Sequence, residues 1–231
     1  MDLPSPEETS SLDQLWRSLS PLGFNTASGG YRRFAWNKAD LACRAWFTAQ
    51  AADRGLTVRT DRNGNQWAWW GEDLPGKALA IGSHLDSVPD GGAFDGPLGV
   101  VSSFAAVDLL RAAGWRPQRP VAIANFADEE GARFGVACAG SRLLTGQLAP
   151  ERARALTDED GVSLAAAMES AGQDPDAIGQ DDDGVAENGV LLGHLTSLPY
   201  AAAANDVTST IRSAIRCRIS SSWTIATIAT P

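Results

Sequence analysis

The sequence GSHLDSVPDGGAFDG occupies residues 82–96 and follows an apolar run, ALAI, at residues 78–81. The apolar run predicts a buried β-strand, and the glycine-rich residues that follow it predict a loop. One imidazole, from His84, and two carboxylates, from Asp86 and Asp95, are thereby placed at or just beyond the end of a strand. Open α/β sheets bind their ligands at this position. We therefore expect the rest of the chain to act as a scaffold for this loop.

A second apolar strand is predicted at residues 121–126, and it leads into the acidic sequence DEEG at residues 128–131. Between the two strands, residues 98–113 form a largely apolar segment that is typical of a buried helix. A strand, a crossover helix and a second strand make a βαβ unit, in which the two strands are parallel. We therefore expect His84, Asp95 and the acidic residues to emerge from the same edge of one sheet.

The remaining elements are predicted from periodicity, caps and turn residues. Apolar residues recur at helical spacing over residues 39–54, and the dipeptide Asn63-Gly64 is typical of a tight β-hairpin. Further helices are predicted from Leu12 to about residue 21 and over residues 141–145, 150–156 and 163–171, and further strands over residues 56–60 and 66–70. Residues 1–11 are expected to be disordered. The whole pattern predicts an α/β fold with a mostly parallel twisted sheet and helices on both faces.

Composition restricts the classes of function. The 231 residues are 44% hydrophobic and 20% charged, which is typical of a globular protein, and the net charge of −9 argues against nucleic acid as the main partner. No apolar run reaches the roughly 18 residues that span a bilayer, and the acidic, polar N-terminus is unlike a signal peptide. Three widely spaced cysteines without a CxxC pair favour a reduced, cytoplasmic protein. The lack of a long apolar run predicts that it does not associate with membranes.

The residue types at the two strand ends suit metal chemistry. In an extended segment His84 and Asp86 point to the same side, so the carboxylate can hold one ring nitrogen while the other nitrogen binds a cation. Asp95 can bridge two cations, and of the adjacent Glu129 and Glu130 one can bind metal while the other remains free as a base. Such a set fits a two-metal hydrolase. The alternatives are a surface histidine and a solvated acidic turn or helix N-terminus, neither of which binds metal.

Three longer strings are more specific than this pattern: GSHLDSVP at residues 82–89, GGAFDGPLGV at residues 91–100 and FADEEGARF at residues 126–134. Together they resemble the amidase branch of the zinc aminoacylase/carboxypeptidase superfamily, which contains allantoate amidohydrolases, N-carbamoyl-L-amino-acid hydrolases of the hydantoinase/carbamoylase type and β-ureidopropionases. Shorter similar segments are GYRR at residues 30–33, DRNGN at residues 61–65 and CAGSRLLTG at residues 138–146. The resemblance covers residues 12–183 and implies a zinc-exopeptidase-like catalytic domain.

The resemblance also implies a role for each residue that matches the family's motifs. His84 binds the first of two divalent metal ions, zinc or manganese, and Asp86 orients that histidine in the catalytic site. Asp95 bridges the two metals, Glu130 binds the second metal, and Glu129 is the catalytic general base. The implied reaction is hydrolysis of a linear amide or ureido C–N bond in a small-molecule substrate. This substrate is allantoate, as in purine catabolism, or an N-carbamoyl-L-amino acid.

The sequence also departs from that family. Family members are much longer, with an inserted lid and dimerisation domain and a final metal-binding histidine, so we expect this chain to be truncated. The family is expected to form homodimers, but through the domain that this chain lacks. A further family ligand lies in a Glu-Leu-His-x-Glu-Gln-Gly string beyond the paired glutamates. His194 matches its spacing but not its neighbours, and the alternative is a surface or loop histidine.

The character of the sequence changes near residue 185, and residues 196–231 contain no Glu, no Lys and one Asp. We therefore predict a partial metallo-amidohydrolase catalytic domain at residues 12–184. Residues 185–231 are predicted to be an atypical tail that is non-native to the fold or disordered. Two functional interpretations remain: a metal-dependent amidohydrolase, or a catalytically inactive fragment of one with at most weak metal binding.

Overall fold

The computed structural model describes the backbone of residues 6–180 and 191–194 and the side chains of residues 11–180. The helices are α1 (Pro6–Leu19), α2 (Lys38–Asp53), α3 (Pro97–Ala112), α4 (Ala139–Leu144), α5 (Pro150–Arg154) and α6 (Leu164–Ser170). The strands are β1 (Phe24–Asn25), β2 (Gly30–Tyr31), β3 (Thr57–Thr60), β4 (Gln66–Trp70), β5 (Leu79–His84), β6 (Val121–Phe126) and β7 (Leu191–His194). In this described part, each helix falls short of the length or apolar character that a bilayer crossing needs.

Five strands form one sheet in the order β3-β4-β6-β5-β7, and β1 pairs with β2 in a separate ribbon. Strand β5 runs parallel to both β6 and β7, whereas β4 runs antiparallel to both β3 and β6. The α/β class and the parallel βαβ unit of β5, α3 and β6 are therefore confirmed. The described sheet is mixed because the tight turn at residues 61–65 reverses the chain between β3 and β4, and β4 then pairs antiparallel with β6.

The sheet is packed on both faces, and its strands alternate their side chains between two cores. On β6, Val121 and Ile123 join the core that includes residues of α1, α2 and α3, whereas Ala122 and Ala124 join the core on the opposite face. Leu144 at the end of α4 packs into this second core. Burial on both faces explains why the strands of the βαβ unit are nearly continuous apolar runs.

The N-terminal helix begins earlier than the sequence predicts. Disorder is expected over residues 1–11 and a helix from Leu12, but α1 begins at Pro6. Proline suits the first helical turn because it lacks a backbone donor. Further along the helix, Leu15 and Leu19 are buried in the main core. The polar composition of this segment does not predict a helix, and tertiary packing stabilises the helix that forms.

Part of the predicted tail at residues 185–231 contributes to the sheet, because β7 pairs with β5 along its whole length. Residues 1–5, 181–190 and 195–231 lie outside the described part of the chain. The division into a catalytic segment at residues 12–184 and an atypical tail therefore stays a prediction.

Asp40 is a buried carboxyl group in the first turn of α2. Burial raises its pKa to about 6, against the opposing effects of the Arg44 charge and the hydrogen bond that the Trp36 N–H donates to it. A carboxyl group whose pKa is higher in the folded state stabilises the fold most at low pH, and this contribution is lost as the pH rises through the folded pKa. The free energy of unfolding should therefore depend on pH through Asp40.

We expect Asp40→Asn to remove this dependence. Between pH 4 and pH 7, the free energy of unfolding of the wild-type chain should fall by roughly 2 kcal/mol more than that of the variant. Urea unfolding of both proteins at the two pH values measures the difference. Equal slopes against pH in the two proteins would show that Asp40 does not titrate in this range.

Candidate metal site

His84 is the last residue of β5, and its side chain is only 2% exposed. Its Nδ1 atom lies 3.1 Å from the backbone oxygen and 3.3 Å from the Oδ1 atom of Asp86. Its Nε2 atom faces the opposite way, 3.4 Å from Glu129 Oε2 and 4.0 Å from Asp95 Oδ1. A proton on Nδ1 that is held by Asp86 leaves the Nε2 lone pair available to a cation.

Three potential metal ligands converge at this edge of the sheet. One ligand atom each from His84, Asp95 and Glu130 lies within 4.8 Å of the others. Asp95 lies just before the start of α3, and Glu130 lies in the loop after β6. The last residue of β6, Phe126, is paired with His84 in the parallel register, so this loop begins beside His84. The structure thus brings together three of the four predicted ligands. An imidazole nitrogen and carboxylate oxygens are donors that suit zinc and manganese.

The fourth predicted ligand, His194, is described only by its backbone. It is the last residue of β7, where it is paired with Gly82 of β5. Its side chain lies outside the described part of the chain, so its role as a ligand stays a prediction.

Asp86 connects the histidine to the acidic pair. Its side chain is 3% exposed, and its two oxygens accept hydrogen bonds from two successive backbone amides. The N–H of Glu129 donates to Oδ1 at 3.2 Å, and the N–H of Glu130 donates to Oδ2 at 3.0 Å. One buried carboxylate therefore holds both the ring of His84 and the backbone that carries the two glutamates.

We expect Asp86→Asn to weaken zinc binding by 10- to 100-fold, the usual range for a residue that supports a metal ligand. Asparagine has the same shape but only one acceptor oxygen, so one buried N–H would face an amide donor. This conflict should also lower the free energy of unfolding by about 1–3 kcal/mol. Calorimetric zinc titration and urea unfolding measure the two effects. Wild-type zinc affinity in the variant would show that Asp86 does not support the site.

The site carries more negative than positive charge. Burial lowers the pKa of His84, but the hydrogen bond with Asp86 and the charges of the nearby carboxylates outweigh burial and raise it to about 9. Burial also raises the pKa of Glu130, and the negative charges of Asp95 and Glu129 act in the same direction, against the effect of His84. Both shifts have the sign that a surplus of carboxylates produces. A bound cation would offset that surplus.

Glu129 is placed beside the cluster by the turn that follows β6. Its backbone oxygen accepts a hydrogen bond from the Cys138 N–H at 2.6 Å, and its Oε1 atom lies 3.6 Å from the Cys138 thiol.

Asp128 differs from its two neighbours, Glu129 and Glu130. Its carboxyl group is buried, has no hydrogen-bond partner among the described residues, and has a pKa that burial raises well above its ordinary value. Asp128 follows the end of β6 at the expected edge of the sheet, but it is not a member of the cluster of potential ligands formed by His84, Asp95 and Glu130.

The sequence pattern did not single out two residues that shape the site. Gly96 belongs to the predicted glycine-rich loop, but it also packs on the imidazole, and a Cβ atom there would lie 2.4 Å from His84 Cε1. Asn65 lies next to the Asn63-Gly64 dipeptide of the predicted hairpin, and its Oδ1 atom accepts a hydrogen bond from the Ala127 N–H at 3.0 Å. Asn65 thereby fixes the start of the acidic loop. This role in the acidic loop could not be inferred from the sequence, because Asn65 lies next to an Asn-Gly dipeptide that is typical of a hairpin.

Comparison with known proteins points to the family that the sequence resembles. Residues 68–175 match the family described as Peptidase family M28. The N-carbamoyl-L-amino acid amidohydrolase of Geobacillus stearothermophilus is 37% identical over 171 residues, which are 73% of this chain and 42% of the relative. The allantoate amidohydrolase of Escherichia coli (strain K12) is 33% identical over 155 residues, which are 67% of this chain and 38% of the relative.

A solved structure shares the fold. The crystal structure of a hydantoinase/carbamoylase family amidase from Burkholderia ambifaria matches with a TM-score of 0.66 and 34% identity, over 78% of this chain and 43% of that chain. The chain thus spans about two fifths of the length of these relatives. The resemblance predicted from the sequence is therefore confirmed: residues 68–175 match peptidase family M28, and the chain is similar to hydantoinase/carbamoylase amidases and allantoate amidohydrolases over about two fifths of their length.

Proposed function

We propose that this chain carries the metal-binding catalytic segment of an amidohydrolase that cleaves a linear amide or ureido C–N bond. The convergence of His84, Asp95 and Glu130 at the ends of two parallel strands is the observation that carries the proposal. Its relatives include proteins named N-carbamoyl-L-amino acid amidohydrolase, ureidoglycolate hydrolase and allantoate amidohydrolase. The proposed substrate is accordingly an N-carbamoyl-L-amino acid or allantoate.

In this proposal His84, Asp95 and Glu130 would hold two divalent ions, zinc or manganese, with Asp95 as the shared ligand. His194 is the proposed further ligand. The donor set fits such ions because it combines an imidazole nitrogen with carboxylate oxygens and carries surplus negative charge. Bound divalent ions would polarise the substrate carbonyl and lower the pKa of water.

Glu129 is the proposed general base. Its side chain is 23% exposed, and its Oε2 atom lies 3.4 Å from His84 Nε2, so it reaches the space in front of the proposed ligands. A carboxylate in this place can take a proton from the attacking water and return it to the departing nitrogen. Asp86 acts through other residues, since it orients His84 and accepts the hydrogen bond from the Glu129 N–H.

The reaction consumes one water for each substrate. In an N-carbamoyl amino acid, the bond between the ureido carbon and the terminal nitrogen breaks, and ammonia leaves with the proton that Glu129 returns. The carbamate that remains loses carbon dioxide and gives the free amino acid. Ammonia is therefore a product that can be measured for either substrate class.

A catalytically inactive fragment with at most weak metal binding is the second candidate. The observation that favours it is that the described side chains bring together only three potential ligand residues, His84, Asp95 and Glu130, which is few for two ions.

Metal analysis of the purified chain, combined with ammonia release from allantoate and from N-carbamoyl-L-amino acids, distinguishes the two candidates. Two bound divalent ions together with ammonia release would support the amidohydrolase. Weak metal binding without ammonia release from either substrate would support the inactive fragment. A chain that binds no zinc or manganese at all would contradict the metal site itself.

A further inference from the structure

The loop that carries Asp95 is fastened by a cluster of hydrogen bonds on Asp90, which we call the Asp90 clasp. The Nε and Nη2 atoms of Arg32 donate to the two carboxylate oxygens of Asp90 at 2.8 and 2.7 Å. The side chains of Ser28 and Asn25 donate to the same carboxylate. The donors lie on β1, on the turn between β1 and β2, and at the residue directly after β2, so one carboxylate joins this ribbon to the loop.

The backbone completes the attachment. Tyr31 and Gly91 exchange two N–H to oxygen hydrogen bonds, of 3.0 and 3.3 Å. The ribbon approaches so closely that a Cβ atom on Gly30 would lie 2.3 Å from the backbone oxygen of Asp90. Asp90 itself adopts a left-handed backbone conformation with φ of 53°. A non-glycine residue keeps such a conformation only where its surroundings hold it there, and the clasp supplies those contacts.

Asp95 needs this attachment more than His84 does. Its side chain is 74% exposed, whereas that of His84 is 2% exposed and fixed by Asp86. Between Asp90 and Asp95 the loop contains the glycines Gly91 and Gly92, whose backbone freedom is large. A free loop would have to be ordered when a metal binds, and the free energy of binding would carry that cost.

We propose that Asp90 and Arg32 are positioning residues of the metal site, and that the Asp90 clasp holds the loop so that Asp95 stands ready to bind the cation. The inference rests on the proposed metal site and adds to it two residues that touch no proposed ligand. It also gives the short ribbon of β1 and β2 a role, which is to anchor the loop.

The effect of the clasp on metal binding differs from its effect on stability. Exposed ion pairs contribute little to the free energy of unfolding, and the Arg32 side chain is 53% exposed. Residues that support a metal ligand, in contrast, typically change metal affinity by 10- to 100-fold when they are replaced. We therefore expect Asp90→Asn and Arg32→Gln each to weaken zinc binding about tenfold, with melting temperatures within about 3 °C of the wild type.

The chain offers a matched control in Asp108 of α3. Its two oxygens receive the Nε and Nη2 donors of Arg54 at 2.8 and 2.7 Å, and its side chain is 30% exposed, against 33% for Asp90. It lies eleven residues after Pro97, roughly 16 Å along the helix from the site. Asp108→Asn should therefore leave zinc affinity unchanged.

Calorimetric titration of the full chain with zinc, and thermal unfolding of each metal-free protein, test the proposal. Tenfold weaker binding in Asp90→Asn and Arg32→Gln, with wild-type affinity in Asp108→Asn, is the expected result. If the wild type binds zinc and Asp90→Asn binds it equally well, the clasp does not position Asp95 and the proposal is overturned. If the wild type does not bind zinc, the metal site fails, and the inference fails with it.

Discussion

Replacing Glu129 with glutamine is expected to lower ammonia release at least 100-fold while zinc affinity stays within about threefold of the wild type. Glutamine keeps the shape of glutamate but cannot take a proton from water. Glu129 lies outside the cluster of potential ligands formed by His84, Asp95 and Glu130, so its charge is not needed to hold a cation. Coupled assays of ammonia release, together with calorimetric zinc titration, measure both quantities on the same preparation.

The neighbouring residue provides the reciprocal variant. Glu130→Gln removes the same charge one position along the chain, but from a residue whose oxygen belongs to the ligand cluster. We expect this variant to lose zinc affinity and, as a consequence, activity. Loss of zinc binding in Glu129→Gln with retention in Glu130→Gln would exchange the two proposed roles. Undiminished ammonia release from Glu129→Gln would remove Glu129 from the role of base.

Gly96→Ala is expected to abolish zinc binding, with an affinity at least 100-fold below the wild type, because small misplacements of functional groups have effects of this size. The added Cβ atom would lie 2.4 to 2.6 Å from three ring atoms of His84, which is far inside van der Waals contact. The imidazole is buried and held by Asp86, so it cannot move aside without losing that contact. Gly96 also has φ of 80°, which disfavours alanine by about 1–2 kcal/mol.

Gly92→Ala in the same loop is the matched control. A Cβ atom on Gly92 would have no neighbour within 4 Å, and its φ lies outside the left-handed region. This variant should bind zinc like the wild type. Wild-type zinc affinity in Gly96→Ala as well would show that the contact between residue 96 and the imidazole does not define the site.

The βαβ unit could be predicted from the sequence because its determinants are local. The apolar runs that form β5 and β6 mark buried strands, and the apolar helix between them requires a parallel crossover. The parallel pairing then places His84 and Glu130 at one edge without knowledge of any tertiary contact. The antiparallel pairing of β4 with β6 has no such local signal, since it depends on where the hairpin of β3 and β4 docks.

Apart from Asp86, the residues that support the site could not be predicted because their contacts join distant parts of the chain. Asn65 meets Ala127 across 62 positions, and Arg32 meets Asp90 across 58 positions. The packing of Gly96 against His84 likewise depends on the path of the whole loop, so a glycine that prevents a clash looks like one that provides flexibility. Sequence patterns identify residues with functional groups and a close neighbour such as Asp86, two positions from His84, whereas supporting residues that are distant in sequence emerge only from tertiary structure.

Diffraction from crystals of the full chain soaked in a zinc salt, with anomalous data collected at the zinc edge, tests the central claim most directly. We expect an anomalous peak in contact with His84 Nε2 and with carboxylate oxygens of Asp95 and Glu130, and no such peak in crystals of His84→Ala. An anomalous map without a peak at these three side chains, from crystals in which they are well ordered, would contradict it.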